Sequence, residues 1–403
     1  MQAARGSITN GIHLGENVII DVDTHWETDG LAPSDHPLAP WMDRFPDSAE
    51  FLASAIAGDL LDALEDRPAG RTLLPALVKI SDNRYGDGVV RLQPEHHSDA
   101  DKRVAWMDGV GIDHCLVNPG AYWLLLQWVP LAERAQAIQR CNDFLSEQLA
   151  PQAQRLHGVA SLFLHDLDAA VDELHRVRAR GARAFFLYTD HGRPPTPEAY
   201  GHPAWDKLWQ AAVALGMIAV IHVGNTPTDF TGWSNIGWSE EKSSGVEGLV
   251  RLANSQRVHA TQNIISSLLF GGSFARVPDM TVLIEEMRVG WLPWFVDLLD
   301  KQGRDSAALG AWPYQRTAGE MLRRSLRITP LLGFGDVDAL EVLETLPEMC
   351  VFSSDYPHGE GNADPINLYG ARLDQLDDQT RASFMGTNTA QCFARTGNPL
   401  AQI

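Results

Sequence analysis

The sequence predicts an α/β fold: a (β/α)8 TIM-like barrel with a long insertion after its first strand that covers the barrel mouth. Three observations predict it. Eight short apolar runs are spread over 403 residues, most of them are separated by stretches with helical spacing, and ionisable residues gather where the runs end. Eight βα repeats over this length suit one barrel. A doubly wound open sheet is the alternative, but no G-x-G-x-x-G follows a strand and no Walker A pattern is present.

The elements follow in order. NVIID (17–21) reads as the first strand, and residues 26–100, rich in Pro, Asp and Gly, are too long for a βα loop and read as the insertion. DADKRVAWMDGVG has helical spacing and leads into DHCLV (113–117). A helix-like RCNDFLSEQLAPQAQ precedes LHGVASLFL (156–164). DLDAAVDELHRVRARG (166–181) places apolar residues on one helical face and stops at glycine, as does HPAWDKLWQAAVALG (202–216). The strands that follow them are ARAFFLY (182–188) and MIAVIHV (217–223), the latter apolar enough for burial on both faces. Residues 224–262 form a second long loop, and MTVLIEEM (280–287), LRITPLL (326–332) and MCVFSSD (349–355) complete the series. The whole chain, 1–403, reads as one domain.

Composition narrows the function classes. With 32 Lys+Arg against 52 Asp+Glu, the net charge is −20, which opposes binding to a phosphate backbone or an anionic membrane. Hydrophobic residues at 44% and charged residues at 21% match a globular protein with a large core. The most apolar run, AYWLLLQWVPLA, falls short of a membrane span. Cys115, Cys141, Cys350 and Cys392 are scattered, with no C-x-x-C pair, so neither a disulfide framework nor a thiolate zinc site is expected, and the cytoplasm is the expected compartment. The expected partner is a small-molecule substrate, not nucleic acid or membrane.

Barrel active sites lie at the C-terminal ends of the strands. Strict alternation along IIDVDTHWE puts Asp21, Asp23 and His25 on one face and Val18, Ile20 and Val22 on the other. His222 ends the apolar strand IAVIHVG; taken alone, a histidine there is more often a satisfied core residue. Glu285 and Glu286 end VLIEEM, where alternation sends one inward, unless the pair begins the next helix. Asp355 ends CVFSSD, in a position that also suits a helix cap or turn. Taken jointly, Asp23, His25, His222 and Asp355 would project into one mouth as a divalent-metal site with open positions.

These segments together resemble the amidohydrolase superfamily, in its branch related to aminocarboxymuconate-semialdehyde decarboxylase. DVDTHWE is similar to the family's first-strand H-x-H, E-x-H or D-x-H metal motif. HPAWDKLWQAAVALGMIAVIHVG resembles the segment presenting a metal His, here His222, and FSSDYPHGEG the strand-eight ending with the metal Asp, here Asp355. RVAWMDGVGIDHCLVNPG and GGSFARVPDMTVLIEEMRVGWLPW resemble the second and sixth βα segments, and GTNTAQCF the closing helix with Asn388. The resemblance implies one bound metal ion and a homodimer. Two departures stand out. Asp23 replaces the His of many relatives, which widens the metal choice from Zn²⁺ to Mn²⁺ or Fe²⁺. Glu285-Glu286-Met287-Arg288 stands where the family's decarboxylases carry a strand-six His. FFLYTD offers no lysine for a carbamate-bridged metal pair.

The expectation is a metal-dependent hydrolase that activates water against an amide, ester or thioester of a small, aromatic or bulky apolar molecule. Asp355 would be ligand and base, and Glu286 a second base or a group orienting water. His259 and His358 are candidates for polarising the substrate or fixing a ligand carboxylate, or are ordinary loop histidines. Arg288 would pair with a substrate carboxylate, or with Glu285. Trp26 and Trp291, with Trp233 and Trp238, would wall the pocket or fill space between helices. The alternative is a non-oxidative decarboxylase of an aromatic or unsaturated acid, and the third reading a binding protein without turnover.

Overall fold

In a computed structural model, the described residues are 18–28, 34–44, 99–120, 123, 125–126, 129–190, 192–225, 255–330, 339–357, 365–366, 369 and 373–401. Seven parallel strands run in sequence order: β1 (Ile20–Trp26), β2 (His114–Pro119), β3 (Leu156–Ala160), β4 (Ala184–Phe186), β5 (Ile218–His222), β6 (Val282–Glu285) and β7 (Leu326–Ile328). Helices separate them, as parallel crossovers require. Residues 350–356 take the eighth position: Cys350 bridges to Ile328 of β7, and Tyr356 to Thr24 of β1. Backbone bonds from Val22 N to Phe352 O (3.1 Å) and from Asp355 N to Asp23 O (2.9 Å) lace the two ends together. The curled sheet is thus TIM-barrel-like, with all eight expected runs in place. Most of the expected insertion, residues 29–33 and 45–98, lies outside the described residues.

Two apolar layers explain the curl. Ile20, Leu116, Val159, Ala184, Val220, Leu283 and Val351, all buried, form one cluster drawn from seven of the eight strand positions, which fills the barrel interior. A larger cluster lies between strands and helices and includes Cys115, Val117, Ile221, Ile284, Ile328 and Phe352. The strands are therefore apolar on both faces, the pattern of a buried parallel sheet. Each fully buried aliphatic side chain contributes about 1.5–3 kcal/mol.

Local chemistry sets the helix ends. Asp99 accepts from the N–H groups of Asp101 and Lys102 at the start of α1 (Ala100–Val110), and Gly111 ends it in the left-handed region, with φ 86°. Asp166 caps the helix Leu167–Ala179 in the same way. Asn388 of the closing helix donates to Pro347 O and Cys350 O, tying that helix to the eighth strand position. No helix among the described residues is long and apolar enough to cross a membrane.

Candidate metal centre

The site begins with an irregularity in β1. Asp21 pairs with Cys115, yet Thr24 pairs with Val117, so two residues of β1, Val22 and Asp23, stand against Leu116 alone. Such a bulge reverses which alternate residues face inward. Below it Ile20 and Val22 face the interior; above it Asp23 and His25 do, with His25 opposite Asn118. Asp21 does not share their face, as strict alternation predicts. It lies on the outward side with Cys115, accepts from Ser354 N (3.0 Å), and is pushed up to about 7 by burial and by Asp23, against the Ser354 hydrogen bonds.

Three other strands complete the cluster. His222 ends β5, in line with the interior residue Val220. Its Nδ1 lies 2.7 Å from Val223 O, which assigns the proton to Nδ1 and leaves Nε2 for the cluster. Glu285 ends β6 opposite His222 and faces inward by alternation with Leu283. Glu286 follows at φ 56°, and its N–H donates to Thr329 Oγ1 (3.3 Å). Asp355 has φ 55°. These left-handed conformations are uncommon outside glycine and aim the two carboxylates into the mouth.

The side chains converge. His25 Nε2 lies 3.1 Å from Asp23 Oδ1, 3.4 Å from Glu286 Oε1 and 3.3 Å from Asp355 Oδ1. His222 Nε2 lies 3.3 Å from Glu286 Oε1 and 3.8 Å from Asp23 Oδ1. One donor atom from each of Asp23, His25, His222 and Glu286 falls within 4.8 Å of all the others, and all four residues are buried. Asp23 Oδ2 is buried without a hydrogen-bond partner among the described residues. Packing this many carboxylates around two imidazoles away from water is costly without a cation, so the cluster suits a metal ion. Burial alone would lower the His222 pKa, but Glu286, and then Asp23, more than offset it and hold the ring above its ordinary value. Burial and then the Asp23 charge push the Glu285 carboxyl well up.

The expected site residues divide. The structure brings Asp23, His25, His222 and Asp355 together, and places Glu286 among the donors rather than beside them. Trp26 is a correction: above the bulge it faces outward and is enclosed in the helix-side core, with the Arg103 guanidinium 5.9 Å from its ring. Trp291 is half-buried, donates to Met287 O and Arg288 O (3.0 Å each), and packs against Phe295. Arg288 is exposed on the loop leaving β6 at φ 56°, and His259 is exposed at the start of the helix His259–Phe270. His358, Trp233 and Trp238 lie outside the described residues. Two features escaped the sequence reading. Asn118, ending β2, donates to Asp23 Oδ1 (2.8 Å) and Glu285 Oε2 (3.0 Å). Trp123 sets its ring edge-on to His222, with centroids 5.9 Å apart, and packs on Phe186. Asn118 carries the same signal as the other site residues, a polar side chain ending an apolar strand.

A match to the Amidohydrolase family spans residues 20–395. The chain belongs to the amidohydrolase family. A gamma-resorcylate decarboxylase of Polaromonas sp. (strain JS666) is 24% identical over 263 residues, which cover 64% of this chain and 76% of that protein. Among solved structures, an amidohydrolase of Mycobacterium avium subsp. paratuberculosis K-10 superposes with TM-score 0.64 at 19% identity, covering 94% of this chain and all of the other. A dihydroxybenzoic acid decarboxylase of Polaromonas sp. JS666, with bound manganese and the inhibitor 2-nitroresorcinol, gives TM-score 0.57 at 18% identity, covering 94% and 97%. At these identities the structural likeness carries the fold, and membership of this enzyme family rests on the family match.

Proposed function

We propose that this amidohydrolase-family enzyme is a metal-dependent, non-oxidative carboxy-lyase acting on an aromatic acid with a hydroxyl beside its carboxylate. The observation that carries the reading is the place of Glu286. A strand-six end without the decarboxylases' His favours hydrolysis when the sequence is read alone. In the fold that strand end still delivers a side chain to the donor cluster, as a carboxylate. The gamma-resorcylate decarboxylase relative points the same way.

Asp23, His25, His222 and Glu286 would hold the ion, with Asp355 beside His25. Two carboxylates among these four donors, with the Asp355 carboxylate beside them, suit a hard ion, so we assign Mn²⁺ ahead of Zn²⁺. The bound cation would supply positive charge that holds the substrate's carboxylate and neighbouring hydroxyl and offsets negative charge on them. Asp355 would give a proton to the ring carbon that bears the carboxylate. The bond from that carbon to the carboxylate then breaks, its electron pair restores the aromatic ring, and carbon dioxide leaves. Water returns a proton to Asp355. Trp123 and Phe186, beside His222, would offer a flat apolar wall to the ring. Arg288 would meet a second anionic group at the mouth.

The test is turnover of 2,6-dihydroxybenzoate and related hydroxybenzoates by Mn²⁺-loaded protein in D2O. Carbon dioxide and a phenol in equal amounts, with one deuterium at the vacated ring position, are expected. Cleavage of esters, amides or thioesters with ¹⁸O uptake from water, and no carbon dioxide from any acid, would return the assignment to hydrolysis.

A further inference from the structure

Asn118 is fully buried at the end of β2, opposite His25. Its Nδ2 donates both protons to carboxylates, one to Asp23 Oδ1 of β1 at 2.8 Å and one to Glu285 Oε2 of β6 at 3.0 Å. β1 and β6 are not neighbours in the sheet, so the contact crosses the barrel interior. The acceptor on β1 is not incidental: Asp23 Oδ1 is the oxygen closest to the cluster, 3.1 Å from His25 Nε2 and 3.8 Å from His222 Nε2. The acceptor on β6 stands opposite His222 in register. Glu285 is fully buried, yet it is not among the four residues whose donor atoms converge, and its Oε1 has no hydrogen-bond partner among the described residues.

We propose that Asn118 is a positioning residue for the metal centre. It fixes the rotamer of Asp23 and directs Oδ1 at the ion, while Glu285 anchors the other side of the amide and stays out of the donor set. A carboxylate at position 118 could not do this, because it has no proton to give to two accepting carboxyl oxygens. The inference rests on the metal-centre reading of the site and is independent of the bond the enzyme breaks.

The experiment measures Mn²⁺ dissociation constants by chelator competition, and the visible absorption of the Co²⁺-loaded protein, for wild type, Asn118→Ala, Glu285→Gln and Glu285→Leu. Loss of a hydrogen-bonded partner behind a ligand typically weakens metal binding by about 10–100-fold, which is expected for Asn118→Ala together with an altered Co²⁺ spectrum. Glu285→Gln keeps an oxygen that accepts from the amide and should stay near wild type in both readouts. Glu285→Leu removes the acceptor and should weaken binding in the same direction as Asn118→Ala. Wild-type affinity and spectrum in Asn118→Ala would overturn the proposal. So would near-complete metal loss in Glu285→Gln, which would make Glu285 a ligand. A wild-type protein that takes up neither ion would instead overturn the metal centre itself. Melting curves confirm folding, and if Asn118→Ala does not fold, the two Glu285 variants decide the matter.

Discussion

Glu285 and Glu286 are adjacent in the chain, and both side chains enter the barrel mouth. A regular strand forbids this, because successive side chains alternate between faces. Glu285 faces inward by alternation with Leu283, within β6. Glu286 lies just past the last strand residue, where φ 56° reverses its direction and brings Oε1 to 3.3 Å from His222 Nε2. One strand end therefore supplies a cluster carboxylate and, directly beneath it, the carboxylate that Asn118 holds.

Glu286→Gln tests the first of these roles. The amide keeps the size and backbone preferences of glutamate but removes one negative charge from the cluster. Metal affinity is expected to fall by at least about 10-fold, the lower end for lost partners at a metal site, with little change in melting temperature of the metal-free protein. Elemental analysis after dialysis against trace Mn²⁺ reads the loss directly, and full metal content in the variant would remove Glu286 from the donor set.

Asp355 combines a role with a strained backbone, and two substitutions separate them. Asn tolerates the left-handed region, so Asp355→Asn should keep the fold while losing proton transfer, a step worth about 10²–10⁴-fold in rate. Asp355→Ala should lose the same activity and in addition about 1–2 kcal/mol of stability from the left-handed conformation. Product formation and urea melts on the pair check both, and an active Asp355→Asn would mean that another group delivers the proton.

These residues also mark how far the sequence could be read. All eight strand positions, and the convergence of Asp23, His25, His222 and Asp355, were legible because apolar runs on both faces and polar strand ends are written in composition. The bulge at Val22–Asp23 was not, since nothing in DVDTHW distinguishes a regular strand from one with an extra residue; the partner β2 defines it. Asp21 was misplaced for that reason. The left-handed turns at Glu286 and Asp355 were equally hidden, because neither is a glycine. The role of Asn118 depends on a contact 167 residues away in sequence, although its position at a strand end was visible.

Arg103 of α1 supports the site from the helix side. It is fully buried, donates from Nη2 to His25 O (2.6 Å), and holds its guanidinium 4.5 Å from the centre of the Tyr356 ring, next to Asp355 in sequence. Arg103→Leu fills the space but removes a charged donor, and a hydrogen bond of that kind contributes about 1.5–3 kcal/mol. Arg103→Lys should recover little, since a lysine lacks the flat fork that bonds and stacks at once. Denaturant midpoints measure both, and a lysine variant as stable as wild type would reduce Arg103 to a simple charge.

His157 and His114 make acid stability testable at the far end of the barrel. His114 Nε2 lies 3.1 Å from Ala401 O and its Nδ1 3.1 Å from His157 Nε2, so in the neutral pair His114 donates to the chain end and His157 donates to His114. Burial first, then His114 and nearby arginines, lower the His157 pKa from 6.5 to about 3. The folded state thus holds this ring neutral while the unfolded chain takes up a proton below pH 6.5. Its contribution is complete above that pH and drains away as the pH falls toward 3, amounting to about 3 kcal/mol between pH 7 and pH 4. His157→Gln retains a donor for His114 Nδ1 and does not titrate, so its stability should fall less steeply across that interval. Parallel slopes for wild type and variant, in urea melts at unit steps of pH, would show that the ring does not stay neutral in the folded protein.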